Sequence, residues 1–221
     1  MNRVQRILAA VTCLLAVAVA ASIGATAALA EGNWFIEKTA LSESVEIEAE
    51  NDSEVLAFLV PSLNLQLVFK KITYDKVSLL KGGETSEVFL FTEGDVYTIS
   101  PKVLQKQCKP GDLTFDAKGK IFLHGGKTYE RLEALSGQPL TVTTYPETCT
   151  LTESNPVTGT LVLEDAVSGF GTEAVSHLVR QASAALFPGQ MKFGSNEMNL
   201  DGSWILKLKG KESGKKWSGV A

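Results

Sequence analysis

The chain has 221 residues, 44% of them hydrophobic and 21% charged, with 21 basic against 25 acidic residues and a net charge of −4. This balance gives no global basic surface for nucleic acid. Only two histidines, His124 and His177, are present, which excludes a metal site built from several histidines.

The chain opens on Arg3 and Arg6 with no acid nearby, and an apolar run follows from Ile7 to Ala21. Ala28-Leu29-Ala30 then supplies an A-x-A site before Glu31. These three parts make a secretory signal peptide over residues 1–30, cleaved after Ala30. The apolar run just reaches spanning length, so an uncleaved leader would act as a membrane anchor instead. Residues 31–221 form a single secreted β-rich domain, and losing Arg3 and Arg6 takes its net charge to about −6.

Cys13 leaves with the leader, so Cys108 and Cys149 are the two cysteines of the mature chain. In an oxidising compartment they are expected to form a disulfide. They stand 41 positions apart, and closing a loop of that length removes chain entropy worth roughly 4 kcal/mol.

In chain order, Trp34-Phe35-Ile36 reads as a short strand. Val45, Ile47 and Ala49 alternate with Glu46, Glu48 and Glu50, so one face is buried and the other is acidic and wet. Val55 to Val60 is a continuous apolar run. Leu63, Leu65, Leu67 and Phe69 then alternate with Asn64, Gln66, Val68 and Lys70, with a bulge or shift expected at Lys70-Lys71. Lys81-Gly82-Gly83-Glu84 and His124-Gly125-Gly126 read as hairpin turns, as do Glu93-Gly94-Asp95 and Lys118-Gly119. One helical turn is expected within Lys102 to Lys109, and strands around Leu140 to Thr144 and Val157 to Leu163.

From Thr172 to Phe187, apolar residues fall at Val175, Leu178, Val179, Ala182, Ala185 and Leu186. That spacing predicts an amphipathic helix, capped by Thr172 and ended by Pro188-Gly189. His177 falls on its polar face, as a surface side chain. Beyond it, Met198 to Lys209 alternates as one long strand. Lys211 to Ala221 is expected to fray except where Trp217 docks.

The fold expected is mainly β, an antiparallel sandwich or barrel with one amphipathic α-helix near the C-terminus. Gly169-Phe170-Gly171-Thr172-Glu173-Ala174 matches G-x-G-x-x-A, but alternating β and α units are missing, so it reads as a turn and a helix cap. Gly169, Gly171 and Thr172 would then form an anion site at that helix N-terminus. Lys207, Lys209, Lys211, Lys215 and Lys216 form a basic cluster suited to anionic envelope polymers. No cofactor, metal or nucleic-acid partner is indicated.

The function expected is an exported, non-catalytic binding or structural protein of the cell envelope or extracellular space. One alternative is a carrier holding a small apolar ligand in a barrel cavity. Another is a secreted hydrolase using His124, whose His-Gly-Gly resembles an oxyanion loop. That would need a nucleophile other than the missing G-x-S-x-G elbow.

Overall fold

A computed structural model describes residues 32–151 and 154–220. The leader, Met1 to Ala30, and its junction with Glu31 lie outside the described residues. No helix among those residues is long and apolar enough to cross a membrane.

β1 (Asn33–Ile36) and β2 (Thr39–Ala40) begin a small sheet. The chain then runs up and down through eight staves. The first is β3 (Val45–Asn51) continued by β4 (Leu56–Val60). Next come β5 (Leu65–Leu80), β6 (Glu84–Thr98) and β7 (Leu113–His124). β8 (Lys127–Ala134) with β9 (Thr141–Thr144) is the fifth stave, and β10 (Ser154–Asp165) is the sixth. β11 (Ser176–Gln181) with β12 (Met191–Phe193) is the seventh. β13 (Asn196–Asp201) with β14 (Ser203–Leu208) is the eighth, and β15 (Trp217–Val220) ends the chain.

Each stave pairs antiparallel with the next. The last returns to the first, β14 on β3 and β13 on β4. The ring therefore closes as an antiparallel barrel and leaves the staves no free edge. Two of its hairpins turn on the glycine pairs read from the sequence. Gly82 and Gly83 have φ of 79° and 72°, and Gly125 and Gly126 have 56° and 78°. Gly125 and Gly126 alone join His124 to Lys127, and two successive positive φ values are what such a two-residue turn requires; the other pair closes a three-residue loop between Leu80 and Glu84.

Eight staves enclose a space that side chains can fill or a small ligand can occupy. Here side chains fill it. Phe58 stacks on Phe115 at 5.5 Å and meets Phe69 and Phe91 edge-on at 6.0 and 5.1 Å. The void left among these rings, Phe89, Leu161, Leu200 and Trp204 is about 10 Å³.

Both ends are covered. β15, β1 and β2 form a three-stranded sheet at the end carrying the two glycine-pair turns. There the Trp34 indole donates to Glu84 O at 2.9 Å, and Trp34 packs on Trp217 at 5.7 Å and on Phe170 at 6.0 Å. At the other end the expected disulfide is present: Cys108 and Cys149 are bonded, with Cα atoms 4.5 Å apart. It joins the loop before β7 to the loop before β10.

The structure corrects several expectations. No α-helix occurs among the described residues; the region from Thr172 to Phe187 holds β11 and a turn. β11 is laddered on both sides, to β10 and β14, which satisfies its backbone better than an isolated helix could. His177 and Val179 point inward and are fully buried, while Val175 and Leu186 are exposed. The helical spacing therefore mixes residues from three environments.

Glu93-Gly94-Asp95 and Lys118-Gly119 are not turns, because β6 and β7 run straight through them. Gly94 leaves room for the Phe69 ring, whose Cε1 would lie 2.6 Å from an added Cβ. The register shift in β5 falls between Tyr74 and Lys76, not at Lys70-Lys71. Met198 to Lys209 is broken at Gly202, and Trp217 docks as expected, starting β15 where the residues beyond it were expected to fray.

Candidate functional site

Alternation along β6, β7 and β8 turns Thr85, Glu87, Gly119 and Glu130 into the barrel. Thr85 pairs in register with Gly119, and Gly119 with Leu132. A Cβ on Gly119 would lie 2.0 Å from Thr85 Oγ1 and 2.5 Å from Glu130 Oε1. This glycine is therefore the space into which the polar groups converge. The Thr85 hydroxyl donates to Glu130 Oε1. Glu87 and Glu130 are 2% and 1% exposed.

Burial pushes the Glu87 carboxyl well above the usual carboxylate range, and the charge of Glu130 and its hydrogen bond push it further. Burial also raises Glu130, opposed by hydrogen bonds from Thr85 and Glu87. Two carboxyls this close and this dry share a proton, with Glu87 as the donor and Glu130 as the acceptor. Burial raises the neighbouring Tyr74 phenol, and the two glutamates add to the effect. Such a pair has the composition of an acid–base dyad, and both carboxyls are buried on the inner side of the barrel wall.

A second buried cluster ties the barrel to its end sheet. His177 Nε2 donates to Trp217 O at 3.0 Å, and Nδ1 lies 2.7 Å from Asp165 Oδ2. Burial pushes the Asp165 carboxyl up. Hydrogen bonds from His177, Val167 N–H and Ser168, with the charge of His177, outweigh it and hold Asp165 at about 2. An ionised carboxylate and a carbonyl both only accept, so the two ring nitrogens of His177 stand against two acceptors.

Ser168, Asp165 and His177 are the three residue types of a hydrolytic triad in the wrong order. The Ser168 hydroxyl donates to Asp165 at 2.7 Å, not to histidine. The far histidine nitrogen is spent on the backbone, so the ring cannot accept a serine proton. His177 is thus a buried clasp, not the surface side chain expected from the sequence.

His124 stands on the β7–β8 turn, with the ring of Phe187 5.0 Å away and that of Tyr129 6.3 Å away. Among the described residues it makes no hydrogen bond or ion pair. Phe187 arrives from residues 182–190, an excursion between β11 and β12. The excursion lies on the outer wall over Phe122, Tyr129 and Val162. Gln190 fastens it, accepting from Val162 N–H and donating to Ala182 O.

Two of the surface recesses that carry charged side chains border β8. One, about 460 Å³, is bounded by Gly126 to Tyr129, the 164–172 loop and Arg180. It collects Gly169, Gly171 and Thr172, but the helix that was to give them an anion-binding N-terminus does not form. Arg180 is engaged by Glu164 at 2.9 Å. The other recess, about 570 Å³, lies on the outer wall of β6, β7 and β8, with Thr85 and Gly119 in its floor.

The C-terminal lysines are partly neutralised. β14 lies against β3, so Lys207 meets Glu50 at 2.6 Å and Lys209 approaches Glu46 at 3.8 Å. Lys215 pairs with Glu212 at 2.7 Å. Lys211 and Lys216 make no ion pair among the described residues.

Glu87 and Glu130 were missed from the sequence, although the signal was present. Thr85, Glu87, Phe89 and Phe91 alternate in phase, which places Glu87 on the aromatic face. Compared with models of known families, with curated proteins and with solved structures, the chain matches none.

Proposed function

We propose that the chain is an exported, non-catalytic binding protein that meets its ligand on the outer wall of the barrel. The filled interior carries this reading. Four phenylalanines and Trp204 occupy the lumen, and the void among them is about 10 Å³, roughly the volume of one water-sized probe. A small-molecule pocket is typically about 300–1,000 Å³. Glu87 is paired with Glu130 and Asp165 with His177, and His124 faces aromatic rings instead of a nucleophile or carboxylate. The basic, apolar and A-x-A leader and the disulfide support export.

The test has two arms. Mature protein is titrated with a long-chain fatty acid, and assayed with ester, glycoside and peptide substrates beside His124→Ala. Neither stoichiometric fatty-acid binding nor turnover is expected. Binding would make the chain a carrier with an opening lumen, and histidine-dependent turnover would make it a hydrolase.

A further inference from the structure

The larger recess on the outer wall has features that the lumen lacks. Its floor is the backbone of Thr85 on β6 and Gly119 on β7. These strands are paired on both sides, so their N–H and C=O groups are spent in the ladders. Recognition there must come from side chains, and alternation points Lys118, Lys120, Phe122, Arg131 and Glu133 outward. Lys120 pairs in register with Arg131, and Lys118 with Glu133. Lys118 and Arg131 are therefore diagonal neighbours, about 7–8 Å apart at the backbone, close enough for both heads to reach one anionic group.

Arg131 is already positioned. Its guanidinium carbon lies 4.9 Å from the centroid of the Phe122 ring. Stacking holds the planar fork and lowers the entropy lost when it grips an oxyanion. Phe122 is in turn clamped from its other neighbours by Tyr129 and Phe187. Neither Lys118 nor Arg131 has a carboxylate partner within ion-pair distance among the described residues. Leu80 and Ile121 supply apolar lining. Glu84, Glu133 and Lys120 also line the recess.

We infer that this recess binds a small organic anion with a flat apolar body: an aromatic carboxylate, sulfonate or phosphate. Its charged head lies between Lys118 and Arg131, and its ring lies along Leu80 and Phe122. The volume of about 570 Å³ suits a molecule of one or two rings. The inference rests on the outer-wall binding reading and supplies its ligand class.

The probe is 1-anilinonaphthalene-8-sulfonate, which combines an anionic head with flat rings, titrated calorimetrically into mature protein at low and high salt. One saturable site per chain is expected, weakened by salt. Lys118→Glu should weaken it by about tenfold or more, as loss of a charged hydrogen bond and gain of repulsion require. Arg131→Gln should do likewise, and Lys127→Glu in the smaller recess should leave it unchanged.

Lys118 is exposed, so its variant folds even if the Arg131 variant does not; near-ultraviolet circular dichroism checks both. Absence of a saturable site overturns the inference. So does a site indifferent to Lys118→Glu, or one weakened equally by Lys127→Glu. Those results leave the non-catalytic reading standing. Turnover in the substrate panel would sink that reading without touching the recess.

Discussion

Glu87→Gln should stabilise the barrel, and by an amount that grows with pH. The substitution keeps the shape of the side chain and a donor for Glu130, but removes the titrating proton. In the wild type both carboxyls are raised by burial, Glu87 more strongly. For an acid whose folded pKa is raised, the native state holds a proton that the unfolded chain has already released. Stability is therefore greatest below the unfolded value, near 4.3. It falls as pH rises from there, until the folded value is passed.

Over that window each retained proton costs about 1.4 kcal/mol per pH unit. A glutamine at position 87 has no such slope. The difference between variant and wild type reports Glu87 together with its coupling to Glu130, since titrating groups outside the pair contribute equally to both. Urea unfolding of the two proteins from pH 5 to pH 9 measures it. The variant should gain on the wild type at each step upward. A difference that stays constant with pH would refute the shared-proton account. One that shrinks would mean that Glu87 is stabilised as a carboxylate in the native state.

Asp165 has the opposite sign. Its carboxyl is held down at about 2, so its contribution is present above the unfolded value near 3.9 and is lost as pH falls toward 2. The shift corresponds to about 2 kcal/mol; denaturation between pH 6 and pH 2 should show Asp165→Asn less stable by at least this at pH 6, the gap narrowing on acidification, and a gap independent of pH would rule this out. Val179 is fully buried and Leu178 is not, so Val179→Ala should cost about 2–3 kcal/mol and Leu178→Ala about 1 kcal/mol or less. Equal losses in thermal or chemical unfolding, or a larger loss at Leu178, would favour a helix over β11.

Local chemistry made part of this fold legible. Glu46, Glu48 and Glu50 alternate with apolar residues over one turn-free stretch, and β3 shows that pattern of exposure. The glycine pairs at 82–83 and 125–126 sit at turns; an added Cβ at Gly82, Gly125 or Gly126 would meet nothing, whereas Gly83 also makes room for Gly32 O and the Ile121 side chain. Gly94 and Gly119 look the same in sequence, yet they answer to side chains arriving from other strands, Phe69 in one case and Thr85 with Glu130 in the other. A glycine that makes room for a distant residue carries no local mark of doing so.

The same limit explains the helix and the site. Val175, Leu178, Val179 and Ala182 suit a helical face only if one partner buries them all. In the closed ring Val179 faces the lumen, while Ala182 joins the outer cluster under Phe187. Closure also brings the acidic row of β3 against the lysines of β14, two charge patterns some 150 residues apart, so each becomes the counter-charge of the other. The Lys118–Arg131 diagonal on β7 and β8 has no such counter-charge within ion-pair distance among the described residues. In sequence those two residues are ordinary wet positions on alternating strands. Only the register that sets Lys118 beside Glu133 and Lys120 beside Arg131, with Phe122 fixed beneath the guanidinium, turns them into a shaped cationic recess. A single exchange at Lys118 therefore tests the register and the ligand class together, and does so at a position whose loss the closed ring tolerates.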